Sequence, residues 1–152
     1  MKKEMNNKGF SLVELIIVVA IMAVLIGVLA PAYLQYVEKS KKTKDCQAVG
    51  SIMDACEIVA SDVAIVWNAD AGVDITANKG AVSYVNGSTE ACTQLEAIVK
   101  EVDITGSWGE IKFEATKKTD GTVEFKHTGG SMSLAEISKI SPDLEGRFSN
   151  AN

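Results

Sequence analysis

An apolar run from Phe10 to Ala32 dominates the sequence, and from Leu15 to Ala30 it carries no charge. A bilayer-spanning helix needs about 20 predominantly apolar residues, so the run is long enough to cross. One residue is out of place: Glu14, two positions past Leu12, the first aliphatic residue. An ionised carboxylate near a bilayer core costs roughly 2.5–3.5 kcal/mol on insertion scales. Glu14 therefore reads as functional, with a partner still to be supplied.

The residues before the run suggest where that partner comes from. Met1 to Lys8 is short and polar, with Lys2, Lys3 and Lys8 set against Glu4. A secretory signal places its cleavage site after the apolar segment. Here the only processing-like junction, Lys8-Gly9-Phe10, lies before it. A cut after Gly9 would free an α-amine on Phe10, normally protonated near neutral pH. That amine and Glu14 would stand i, i+4 on one helical turn. In an array of such helices, the amine of one chain could neutralise the Glu14 of its neighbour, an attraction strengthened by a low dielectric.

The segment Lys8-Gly9-Phe10-Ser11-Leu12-Val13-Glu14-Leu15 resembles the class III signal peptide of type IV pilins and pseudopilins, of type IVa-like or Gram-positive kind. The resemblance runs from Lys8 to Pro31. It implies a prepilin peptidase that cuts after Gly9 and methylates the new N-terminal Phe10, and a role for Glu14 in subunit assembly. It also implies that the helix can loosen between Glu14 and Pro31. Proline removes a backbone hydrogen bond and glycine weakens a helix, which makes Gly27 and Pro31 the candidate loosening residues. Against these readings, Gly9 could be a linker glycine, Glu14 a tolerated polar residue in a signal anchor, Gly27 a small packing residue and Pro31 a simple kink.

The 152 residues suffice for one modest domain besides the helix. We expect three parts: a cleaved leader over 1–9, a transmembrane and filament-core half-helix over 10–32, and a globular head over 33–152 that includes the rest of the helix. Without its first nine residues the chain keeps 12 of 15 basic and 19 of 20 acidic residues, a net charge near −7. That argues against broad attraction to nucleic acid, and no nucleic-acid contact is expected. Lys39, Lys41, Lys42 and Lys44 form a local basic patch, read as a solvated helix face or a headgroup contact. The basic leader places the N-terminus in the cytoplasm and the bulk of the chain outside.

Beyond Pro31, Cys46, Val49, Met53, Cys56, Ala60 and Val63 recur at helical spacing, with Lys44, Asp45, Gln47, Asp54, Glu57 and Ser61 on the other sides. One long helix is expected from about Ser11 to Asp62, apolar all round in its first half and amphipathic in its second. Residues 63–88 read as a connection, with Asn68, Asp70, Gly72, Asp74, Asn78 and Gly80 marking turns and a short strand near Val82 and Tyr84. Ser88 or Thr89 would cap a second helix reaching about Val102. Ile111 to Thr116 and Val123 to Lys126 alternate as a hairpin. A three-residue loop over Thr119-Asp120-Gly121 sets Ala115 opposite Phe125, Glu114 opposite Lys126 and Phe113 opposite His127, with Gly121 left-handed. Ser133-Leu134-Ala135-Glu136 fits a capping box for a short helix to Ile140, in competition with a strand over Met132–Ile137. Pro142 and a polar tail would end it. The fold class is therefore α+β: a long N-terminal helix on a small antiparallel sheet, as the resemblance also implies.

Three cysteines suit an exported domain. Cys46 and Cys56 lie about 15 Å apart along one helix and cannot pair. Cys92 could reach either; Cys56–Cys92 is favoured and would contribute roughly 4 kcal/mol. The alternative is three packed thiols. The C-terminal disulfide loop of many Gram-negative pilins has no counterpart, since no cysteine follows Cys92. One histidine, His127, leaves no histidine-rich metal site, and no phosphate loop or nucleophile elbow is present. Asp120, Asp143 and Glu145 match no calcium loop. No metal, cofactor or catalytic residue is expected.

The resulting expectation is a pilin rather than an enzyme. It would be a membrane prepilin, then an extracellular filament subunit, partnered by copies of itself, the prepilin peptidase/methyltransferase, the pilus assembly platform and, before assembly, the inner membrane. The alternatives are a pseudopilin of a type II secretion or DNA-uptake machine, and a monomeric signal-anchored binding domain.

Overall fold

The computed structural model describes residues 9–67, 72–99, 104–105 and 109–150. Helix α1 (Leu12–Ser61) runs for 50 residues through two compact units, Met1–Val37 and Glu38–Asn152. In the first unit every described residue up to Tyr36 is exposed. This stretch is long and apolar enough to cross a membrane.

The second unit begins where α1 becomes amphipathic. Cys46, Val49, Met53, Cys56 and Ala60 are buried at the expected spacing, joined by Ile52, Ala55 and Val59. They pack against a four-stranded antiparallel sheet in the order β2-β1-β3-β4, formed by β1 (Val73–Asn78), β2 (Ala81–Val85), β3 (Ile111–Lys117) and β4 (Val123–Gly130). Ile75, Ile111 and Phe113 bury their side chains on the sheet's inner face; each stabilises the fold by about 1.5–3 kcal/mol. Helix α2 (Thr89–Val99) adds Ala91, Leu95 and Val99 to the same core. Ser88 caps it by accepting the Ala91 N–H on Oγ at 3.1 Å. The sequence-based end of α2 at Val102 falls outside the described residues.

The β3–β4 hairpin has the register read from its alternation: Ala115 opposite Phe125, Glu114 opposite Lys126, Phe113 opposite His127. Gly121 takes φ +89°, and Asp120 closes the loop by accepting the Thr122 N–H at 2.9 Å. Beyond Phe113 the register shifts by a bulge, so that Gly129 and Gly130 continue β4 rather than end it. Gly130 (φ +103°) is required, because a Cβ there would collide with the Glu110 carbonyl.

Four sequence expectations need correction. Residues 73–78 form β1, one of the two inner strands, rather than a connection: Asp74 and Asn78 look like turn formers, but Val73, Ile75 and Ala77 alternate inward. Between β1 and β2 the chain turns at Lys79-Gly80, with Gly80 at φ +72°. Val63 lies past the helix end and is 97% exposed. Asp45, assigned to the polar side of α1, is buried, and its Oδ1 accepts the Thr105 N–H at 2.6 Å.

The C-terminal segment is the fourth. Helix α3 (Leu134–Ile140) forms with the Ser133/Glu136 capping box, which excludes the competing strand. α3 ends before Pro142 as expected, but Pro142 starts a further helical turn, α4 (Pro142–Glu145), where a polar tail was expected. Phe148 is buried edge-on against Phe113, with ring centroids 5.9 Å apart. Ser149 donates its N–H to the Phe125 carbonyl at 2.8 Å. Arg147 clasps α1: Nη1 donates to Asp54 and Nη2 to Glu57, both at 2.8 Å, and Nη1 also reaches the Gly50 carbonyl at 3.3 Å. Its guanidinium stands 5.5 Å from the centre of the Phe125 ring.

Candidate processing and assembly site

The Gly9–Phe10 junction, the expected processing site, lies before the first helical residue. Gly9, Phe10 and Ser11 are non-helical and exposed, Phe10 at 83%. A peptidase must bind its peptide bond extended, and nothing in the described residues shields Gly9–Phe10. No other atom lies within 4 Å of where a Gly9 Cβ would stand.

Ser11 is the N-cap of α1, and Leu15 donates its N–H to the Ser11 carbonyl at 3.2 Å. Glu14 is then the third helical residue, and its Oε2 accepts the Ser11 backbone N–H at 2.9 Å. This is the carboxylate arm of a capping box, in which the third residue reaches back to the cap. The carboxylate also sits at the positive end of the helix dipole. Glu14 thus has a donor within its own chain, a role that its Ser11-x-x-Glu14 spacing signals. In the uncut chain Phe10 lies one residue outside the helix rather than on its first turn, so the i, i+4 relation with Glu14 is one of sequence and not of helical geometry.

The rest of the apolar segment offers one surface feature all round: Leu15, Ile16, Ile17, Val18 and Val19 are all exposed. Gly27 and Pro31 lie within the continuous helix. Pro31 has no N–H, and the carbonyl four residues earlier, which that N–H would serve, belongs to Gly27. The two candidate loosening residues are therefore two ends of one missing hydrogen bond.

Residues 5–30 match the model of the prokaryotic N-terminal methylation motif. The chain thus carries a prepilin-type N-terminal methylation motif. Among curated proteins it resembles two described as "Fimbrial protein" from Pseudomonas aeruginosa, each 29% identical over 131 residues, covering 86% of this chain and 73% of the relative. It is also 39% identical over 83 residues to "Fimbrial protein EcpC" of Eikenella corrodens, covering 53% of this chain and 52% of that protein. No solved structure gives a significant match.

The other residues singled out in the sequence do not join that site. Cys46, Cys56 and Cys92 are free thiols. The favoured Cys56–Cys92 bridge is not formed here: the Cys92 sulfur sits close to Gly87, 3.1 Å from where a Cβ would stand. Burial, and then the charge of Asp45, push the Cys46 thiol up to about 11. Burial pushes Cys56 up to about 12, against an opposing pull from Arg147. Neither supplies a reactive thiolate near neutral pH. His127 is half-buried at the end of the hairpin, its Nε2 2.9 Å from the Met132 carbonyl and its ring edge-on to Phe148. Asp120 is committed to the hairpin loop, and its hydrogen bonds from Thr122 hold its carboxyl below the usual range. Among the described residues no cluster of His, Cys, Asp or Glu could hold a metal ion.

Proposed function

We propose that this protein is a structural subunit of a type IV pilus. It is held in the cytoplasmic membrane by α1 as a prepilin, cut between Gly9 and Phe10, methylated on the new Phe10 amine, and assembled through the apolar half of α1 into an extracellular filament. The observation that carries this reading is the coincidence of the methylation motif with an unshielded Gly9–Phe10 junction and an apolar helix that none of the described residues covers. Such a helix needs either lipid or copies of itself. The partners are then the chain's own copies, the peptidase/methyltransferase and the assembly platform, and the protein is a substrate of enzymes rather than one of them.

In this reading Glu14 exchanges ligands. Before assembly its carboxylate is held by the Ser11 N–H. After cleavage it meets the Phe10 ammonium of a neighbouring subunit, a contact between two full charges in place of, or beside, one with a neutral N–H donor. Gly27 and Pro31 supply the point at which α1 loosens on packing.

The deciding experiment is intact-mass and N-terminal analysis of protein sheared from cell surfaces. The expected chain begins at Phe10 and carries one methyl group. A chain that still begins at Met1 and is confined to membranes would overturn the proposal.

A further inference from the structure

We infer that Lys39, Lys41 and Lys44 form a cationic collar that binds the phosphates of acidic lipids in the outer leaflet of the cytoplasmic membrane before the subunit leaves it. The inference rests on the reading of α1 as membrane-inserted.

The spacing along α1 places the collar. A helix rises about 1.5 Å per residue, so the 20 residues that follow Glu14 span about 30 Å, the thickness of a bilayer's hydrocarbon. Glu14 then lies at one interface and Leu34 at the other. Tyr33 and Tyr36, 67% and 73% exposed, straddle the second boundary, where tyrosine's apolar ring and polar tip are both accommodated. Lys39 and Lys41 follow about 8–11 Å beyond Leu34, at the depth of the headgroups.

Charge points the same way. Positions 39–44 read Lys-Ser-Lys-Lys-Thr-Lys, with no acidic residue, in a chain otherwise dominated by Asp and Glu. Lys39, Lys41 and Lys44 are exposed. Lys42 is half-buried and pairs with Glu38 at 3.1 Å. Flanking Asp45 is buried and turned to the Thr105 N–H. At 100° per residue, Lys41 and Lys44 fall on one side of α1 and Lys39 on the other. The ammonium groups therefore encircle the helix instead of forming one stripe, as suits a ring of lipid headgroups better than a single duplex. The acidic surface beyond would be repelled by an anionic leaflet, so this basic ring is the part of the exported domain able to touch it.

The test uses the full chain with Lys2, Lys3 and Lys8 changed to Gln, which removes the leader's own lipid contacts. It is reconstituted in phosphatidylcholine vesicles with and without phosphatidylglycerol, and lipid selectivity is read from spin-labelled forms of each. A preference of about five-fold for phosphatidylglycerol at low salt is expected, since one lysine near an anionic surface contributes about that factor. It should vanish near 1 M salt. It should also vanish in K39Q/K41Q/K44Q and survive in K39R/K41R/K44R, with helix content and melting of the head unchanged in both. Equal association of the two lipids, or selectivity retained in the Gln variant, overturns the collar while leaving the membrane reading intact. Failure to float with either vesicle overturns both. Duplex DNA binding that is lost in the Gln variant, without lipid selectivity, overturns it in favour of a nucleic-acid contact.

Discussion

Asp45 Oδ1 lies 2.6 Å from the backbone nitrogen of Thr105, 60 residues further along the chain. A buried carboxylate on α1 thus fixes the segment that leads into β3. Asp45→Ala leaves that N–H without this acceptor. Hydrogen bonds to charged groups contribute about 1.5–3 kcal/mol, and a loss of that size in urea unfolding is expected. Asp45→Asn, which keeps an acceptor oxygen, should lose less.

Arg147 joins Asp54, Glu57, the Gly50 carbonyl and the Phe125 ring. The two ion pairs are partly exposed and count for less than their geometry suggests. Arg147→Ala should cost about 1–2 kcal/mol. Arg147→Lys should recover only part, because an ammonium cannot reproduce the two-pronged contact. Chemical denaturation of the three proteins checks this.

The thiols make the head sensitive to alkali. Folding raises Cys46 to about 11 and Cys56 to about 12, from an ordinary value of 9.0. Above pH 9 the unfolded chain loses these protons while the folded chain keeps them. Stability is therefore full below pH 9 and falls between pH 9 and about 11–12. Burial raises Tyr84 as well and acts in the same direction. Replacing both cysteines by Ala should flatten the slope of urea midpoint against pH. Thiol titration should find three thiols after unfolding, where a Cys56–Cys92 bridge would leave one.

Glu14→Ala should abolish filaments in the sheared fraction while leaving both the cut after Gly9 and the melting of the head unchanged. The carboxylate lies in the first compact unit, outside the core that holds the second together. Loss of cleavage or of head stability in this variant would remove Glu14 from assembly.

What could be read from sequence followed the range of the forces involved. Period-two alternation and a glycine at the left-handed position define the β3–β4 hairpin locally, so its register was legible. The apolar run and the Gly9-Phe10 junction are equally local. Strand β1 was hidden because Asp74 and Asn78, on its outward side, look like turn formers. Asp45 was misplaced, and Arg147 was passed over within a polar tail, because their partners lie 60 residues away for Asp45 and 90 or more for the Arg147 carboxylates. The Glu14–Ser11 contact follows an S-x-x-E spacing that drew no reading of its own, because the cost of a charge in lipid directed attention elsewhere.

The Gly27 carbonyl has a thermodynamic consequence for departure from the membrane. Hydrocarbon offers an unbonded carbonyl no substitute donor, and each such group costs several kcal/mol there. A proline-free helix of the same length would rest more deeply in the lipid. This one is held less tightly by its first solvent, so less mechanical work is needed to pull it out.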